Sequence, residues 1–198
     1  MKKTPHQQRH ANTRQAILQA ALDLITEKGL EKLSLREIAR RVEYSPAGLY
    51  EYFDGKDDIL RGLAHQGDAR LRASFECISL DLPPAERLIQ ICLAYVDFVV
   101  CNSEYFAVMN SVPSTYTNLN QPAPQGSSYF IFLQAVQNMI DAGEITPRES
   151  FHREEITYSL WAMAHGMGTL RLNQLRDFEA DFETANRRAF EVMLMGLK

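Results

Sequence analysis

Apolar residues recur along this chain at spacings of three and four and almost nowhere in strict alternation, which predicts helix from end to end. No Asn-Gly or Asp-Gly hairpin turn interrupts the pattern, and no sustained period of two offers a strand. Asn12-x-x-Gln15 opens a first predicted helix over 13–28, with Ile17, Ala21, Leu24 and Ile25 on one face and Gly29 as the stop. Ser34-x-x-Glu37 opens a second, with Leu35, Ile38, Ala39 and Val42 facing inward. A third is expected to start at Ser45-Pro46, a capping residue followed by proline at the first helical position. Asp54-x-x-Asp57 caps a long fourth, with Ile59, Leu60 and Leu63 inward, reaching about Ile78. Beyond Pro83-Pro84 come an apolar helix over 85–101 and a short one over 104–111. The stretch 111–126, rich in Pro, Asn and Ser, reads as a long loop. Helices over 127–141, stopped by Gly143, then 149–173 and 179–195 complete the chain. The predicted class is all-α, about nine helices with three short ones at the front.

Composition agrees with a soluble globular chain: 198 residues, 45% of them hydrophobic and 23% charged. The basic start "MKKTPHQQRHANTRQ" is followed by no apolar run, which predicts no secretory signal. The longest apolar stretch, "LIQICLAYVDFVV", is interrupted by Gln90 and Asp97 and is too short to span a bilayer. A cytoplasmic protein with no membrane partner is therefore expected. Cys77, Cys92 and Cys101 cannot all pair within one chain; reduced, buried thiols are predicted, with a redox-responsive regulator as the alternative. The net charge is −4, but residues 1–53 carry nine Lys or Arg against six Asp or Glu. A head at +3 on a body at −7 places any polyanion at the head.

A helix braced in front of a second helix, a short turn and a third helix is the helix-turn-helix arrangement, whose last helix enters a DNA major groove. Pro46 and Gly48 suit its N-terminal end, where small residues let backbone approach the bases. Leu49 and Phe53, four apart, are expected to pack on Ile38 and Val42, which turns Tyr50 and Tyr52 elsewhere. A tyrosine at the groove rim can reach a phosphate and touch a thymine methyl. A generic helical hairpin, within a helical binding module that meets no DNA, fits the same spacing.

The run "SLREIARRVEYSPAGLYEYFDGKDDIL" closely resembles the signature of the TetR family of bacterial transcriptional regulators, over residues 12–63. That resemblance implies a three-helix DNA-binding head over 1–55, with its motif at about 33–53, and a helical effector-binding and dimerisation domain over 56–198. It places Ser34 and Arg36 on phosphate and a base edge, and Ser45, Pro46, Ala47 and Gly48 at the groove. Tyr50 and Tyr52 would stand at the groove walls and Lys56 on phosphate. One position departs: where the family usually carries Gly in the turn, this chain has Glu43, which must bear left-handed strain unless the turn differs.

In the body, "YSLWAMAHGMGTL" resembles the Trp-x-x-x-His-Gly motif of one TetR subgroup, with Gly166 and Gly168 allowing another backbone to approach. Trp161 and His165 share a helix face and line an effector pocket with Phe98, Phe106, Met109, Tyr129 and Phe132, or else belong to the core. Ala185, Ala189, Phe190, Met193 and Leu197 form an apolar stripe suited to a four-helix dimer interface. The resemblance implies a ligand-responsive homodimeric repressor with a palindromic operator, a small-molecule effector and no cofactor. Against an enzyme stand the missing phosphate loop, H-E-x-x-H and G-x-S-x-G patterns. His6 and His10 lack a further ligand for a metal.

Overall fold

The computed structural model describes residues 4–113 and 121–198. Its elements are helices α1 (Pro5–Lys28), α2 (Leu35–Arg41), α3 (Lys56–Glu76), α4 (Pro84–Cys101), α5 (Ser103–Ser111), α6 (Ser128–Asp141), α7 (Arg153–Leu172) and α8 (Phe182–Met195). Two 3-10 turns, Leu30–Lys32 and Gly48–Glu51, lie between the first three. No strand occurs among the described residues, only an isolated bridge between Arg148 and Phe151. Part of the predicted 111–126 loop, residues 114–120, lies outside the described residues. The chain divides into two compact units: Met1–Gly67 with Glu104–Pro113, and Asp68–Ser103 with Ser114–Lys198.

In the first unit, α1 begins eight residues earlier than predicted, at Pro5 rather than residue 13. Thr4 and Gln7 form the capping box, Gln7 N–H donating to Thr4 Oγ1 at 3.3 Å and Thr4 N–H to Gln7 Oε1 at 2.9 Å, with Pro5 at the first position. Asn12, predicted to be the cap, sits inside the helix and accepts from Gln8 Nε2 at 3.0 Å. Burial starts only at Ile17, so the first three turns stand outside the core. Ile17, Leu24, Ile38, Leu49, Phe53, Ile59 and Leu63 then close the interior of the head, while Val42 is only half-buried. Each fully buried aliphatic or aromatic side chain contributes about 1.5–3 kcal/mol relative to exposure. Asp54, expected to cap α3, instead donates its backbone N–H to the Asp58 carboxylate at 3.2 Å, and the Gly55 carbonyl takes the first helical bond.

In the second unit α4 is the central helix, packed against α6, α7 and α8. Its Leu88, Ile91, Cys92, Val96 and Val99 are almost wholly buried. Arg187 of α8 reaches the Glu86 carboxylate of α4 with both guanidinium nitrogens, at 2.9 and 3.0 Å, and holds that carboxyl below its usual range. Asp68 accepts from the backbone and hydroxyl of Ser128, at 3.2 and 2.5 Å, which fixes the start of α6. Cys92 alone of the three thiols is buried, and burial pushes its pKa up; Cys77 and Cys101 are exposed, contrary to the expectation of three buried thiols. α7 starts at Arg153 rather than 149 because Ser150 adopts φ 61° and breaks the helical run. α8 starts at Phe182 because Asp181 is its cap, accepting from Thr184 N at 3.0 Å.

The expected stripe on α8 divides. Phe190 and Leu197 are buried within the chain, Ala189 and Met193 are half-buried and Ala185 is exposed; Val192 and Met195, outside the stripe, are exposed as well. The two glycines of α7 also differ. A Cβ on Gly168 would meet Val99 side-chain atoms at 2.7 and 2.8 Å, so this glycine lets α4 approach α7. A Cβ on Gly166 would meet nothing within 4 Å. Among the described residues no single helix is long and apolar enough to cross a membrane.

Candidate nucleic-acid interface

The segment after α2 turns on Glu43, whose φ of 58° is left-handed. Glu43 N–H reaches Arg40 O at 3.4 Å and Tyr44 N–H reaches Ala39 O at 2.9 Å, the paired bonds of a Schellman helix end. A residue other than glycine thus occupies the position that favours glycine, as the departure from the family pattern implied. Ser45 then stops the chain from running on: its Oγ accepts from Gly48 N at 3.0 Å. The predicted third helix is shorter and tighter than expected, a 3-10 turn over Gly48–Glu51 with Pro46 and Ala47 in the turn before it. The 3-10 turn takes four of the seven residues between Ser45 and the buried Phe53. Gly48 is confined there, since a Cβ would stand 3.3 Å from Ser45 Oγ and 3.4 Å from Tyr44 Cδ1.

The nine predicted contact residues all lie in the first unit. Arg36, Ser45, Pro46, Ala47 and Tyr50 are exposed, Tyr50 at 59%. Ser34, Gly48, Tyr52 and Lys56 are half-buried. Ser34 caps α2, its Oγ accepting from Glu37 N at 3.3 Å, and Lys56 is the first residue of α3. The two tyrosines part company. The Tyr50 ring is open to solvent, while Tyr52 lies 4.8 Å from the His10 ring and 5.9 Å edge-on from Tyr44. A hydrogen bond with Tyr44 raises the Tyr52 phenol above its ordinary value.

Two residues that the sequence pattern does not mark hold this segment in place. Arg14 of α1 donates to the Tyr52 carbonyl, and its guanidinium lies 3.9 Å above the Phe53 ring centroid. Arg41 forks onto Glu27 at 2.9 and 2.8 Å, and Lys28 pairs with Glu37. These pairs tie both ends of α2 to the end of α1, whereas Arg36 and Arg40 form no ion pair among the described residues. Cationic side chains without a partner beside exposed small residues suit a phosphate backbone.

The predicted effector residues divide between the two units. Phe106 and Met109 belong to the first, where Met109 packs on Gly67 so closely that a Cβ there would lie 2.6 Å from its sulfur. In the second, Phe98 and Phe132 are core, Phe132 meeting Phe75 edge-on at 6.5 Å. Tyr129, Trp161 and His165 form a train of rings, with Tyr129 to Trp161 and Trp161 to His165 both 6.2 Å apart. Tyr95, which nothing in the sequence pattern singled out, completes it: its hydroxyl lies 3.1 Å from His165 Nδ1. Burial pushes the Tyr95 phenol up to about 12, partly offset by a hydrogen bond from Trp161, and burial lowers His165. An indole N–H can only donate, so the Tyr95 oxygen accepts from Trp161 and its own proton serves Nδ1 of a neutral His165. Among the described residues no group of three His, Cys, Asp or Glu is placed to hold a metal.

Residues 17–63 match the model for bacterial regulatory proteins of the tetR family, and residues 88–197 match the tetracyclin repressor-like C-terminal domain. A curated relative, the uncharacterised HTH-type transcriptional regulator YobS of Bacillus subtilis (strain 168), is 22% identical over 93% of this chain and 92% of its own. A protein of unknown function from Rhodococcus sp. RHA1 has a similar structure, with TM-score 0.75 and 26% identity over 93% of this chain and 95% of that one. A tetR-family regulatory protein from Rhodococcus RHA1 superimposes with TM-score 0.67 and 19% identity, over 93% and 96% of the two chains.

Proposed function

This chain belongs to the tetR family of bacterial regulatory proteins, and on that premise we propose that it is a homodimeric, ligand-responsive repressor that reads a palindromic operator. One observation carries the reading of DNA. Leu49 and Phe53 anchor a short turn whose other face, Ser45 to Ala47 and Tyr50, is exposed beside the unpaired Arg36. Tyr50 serves as the groove-wall contact, and Tyr52 contributes by bracing the turn against His10. Ser34, Gly48 and Lys56 flank that face.

Dimerisation follows from information content: one short recognition segment contacts too few bases for useful specificity, and two-fold symmetry doubles the site. The exposed Tyr158, Trp161 and Leu170 of α7, with Val192 and Met195 of α8, supply the apolar area such a bundle buries. The Tyr95, Trp161, His165 and Tyr129 train is the effector-sensing element. A ligand that prefers one spacing of the two heads must weaken DNA binding by the same coupling free energy, on the order of 1–3 kcal/mol. A cytoplasmic location follows from a genomic target.

Selection of bound duplexes from random DNA, at two salt concentrations, tests the reading. The expected result is a palindrome with half-sites about one helical turn apart. Tyr50→Ala should lose affinity for that palindrome while remaining dimeric by light scattering. Sequence-blind binding would overturn the proposal.

A further inference from the structure

A groove of about 430 Å³ opens where α4, the end of α7 and the start of α8 meet, apart from the Tyr95 and His165 rings. Its size falls within the range of small-molecule sites. Asn186 lines it from α8, is only 7% exposed, and its side-chain amide makes no hydrogen bond to another described residue. The enclosed side-chain polar atoms without a partner among the described residues are Arg72 Nε, Arg87 Nε and Thr169 Oγ1, so the Asn186 amide is not sealed in the core but opens on the groove. Here both its donor and its acceptor border an open space. Apolar wall is supplied by Ile78, Leu93 and Phe182.

The charges around the groove decide what could fill it. Asp97, Asp181 and Glu183 line it with Arg171 and Arg187. Arg187 is already spent on Glu86 through both nitrogens. Arg171 lies over the Phe182 ring at 5.2 Å and reaches Asp97 only at 3.8 Å, leaving that carboxylate side chain 73% exposed. Asp181 is held as the α8 cap, so Asp97 and Glu183 face one loosely engaged guanidinium, and the ring already accepts a cation on its face.

We infer that this groove is a binding site for a small amphipathic organic amine, with the ammonium at Asp97 and its acidic neighbours and a ligand hydroxyl or carbonyl on the Asn186 amide. The site is independent of the DNA reading and of the ring train in α7. Three compounds of one skeleton isolate the charge: tyramine, its neutral alcohol tyrosol and the anionic 4-hydroxyphenylacetate. Calorimetry on the full chain without DNA should give saturable tyramine binding at least about ten-fold tighter than tyrosol, and none for the acid. Asn186→Leu, of similar volume, should weaken tyramine about ten-fold and leave thermal stability unchanged, since the amide makes no hydrogen bond to another described residue. Asp97→Asn, at an exposed position that cannot upset folding, should weaken it several-fold. Equal affinity for the three compounds, preference for the acid, no binding at all, or unchanged affinity in both variants overturns the assignment. Loss of folding in Asn186→Leu would show that the amide has a structural role, and Asp97→Asn then decides. Because no DNA is present, failure here leaves the operator reading untouched.

Discussion

Replacing Glu43 by glycine should stabilise the head. A left-handed backbone costs a residue with a Cβ about 1–2 kcal/mol, and Glu43 holds φ 58° inside the two Schellman hydrogen bonds that end α2. Its exposed side chain makes no ion pair among the described residues that would offset this strain. Glycine removes the strain but adds freedom to the unfolded chain, a cost of about 0.5–1 kcal/mol. The net expectation is about 0.5–1 kcal/mol of added stability, or about 2–4 °C in Tm for a chain of this size at the upper end.

Two probes separate the head from the body, because the single tryptophan, Trp161, lies in the second unit. Urea unfolding followed by far-ultraviolet circular dichroism should show the gain, and Trp161 fluorescence should be unchanged if the units unfold separately. Glu43→Ala keeps the Cβ and should gain nothing, and Glu43→Gln should likewise leave stability alone. Both Glu43→Gln and Glu43→Gly remove a negative charge beside the DNA-facing turn, so both should tighten DNA binding. If Glu43→Ala stabilises as much as Glu43→Gly, backbone strain is not the cause and the reasoning fails.

Lys56→Ala should shallow the dependence of log affinity on log salt by about 0.9, one phosphate contact; an unchanged slope removes Lys56 from the interface. His165 is held neutral by burial, so its folded-state pKa lies below the unfolded value of 6.5. As the pH falls below 6.5 the unfolded chain takes up the proton first, and stability is lost on acidification. His165→Gln, which keeps an acceptor for Tyr95, should show a smaller loss between pH 7.5 and 5.5 in parallel urea titrations. Gly168→Ala should cost about 1–3 kcal/mol through overpacking on Val99, whereas Gly166→Ala should gain up to about 1 kcal/mol of helix stability, since its Cβ meets nothing. Equal effects at the two glycines in thermal melts would contradict the packing described for α7.

Helix number and order were readable from apolar spacing because α4, α6 and α8 each bury one face, while Ser34 marks the start of α2 and Ser127 and Gly143 the two ends of α6. What the spacing hid was decided by competition between signals or by distant partners. Asn12 carries a good cap pattern, but Thr4-Pro5 carries another, and no breaker lies between them to stop the helix. Tyr50 and Tyr52 are equivalent in the sequence. Only the approach of α1, bringing His10 and Arg14, turns one inward and leaves the other in solvent. Tyr95 was invisible for the same reason, since its partners are seventy residues away on another helix.

The same contrast explains why the head was more legible than the body. The recognition turn is specified by neighbours within about ten residues: Ser45 on Gly48, Glu43 on Arg40, Leu49 and Phe53 four apart. Short-range rules of capping, φ sign and periodicity suffice there. Ligand chemistry in the body instead depends on which side chains of α4, α7 and α8 fail to find partners after packing, and a residue such as Asn186 is distinctive only by what it does not touch. Sequence patterns record attractions between near neighbours, so an unmet polar group is visible only once the helices have been packed.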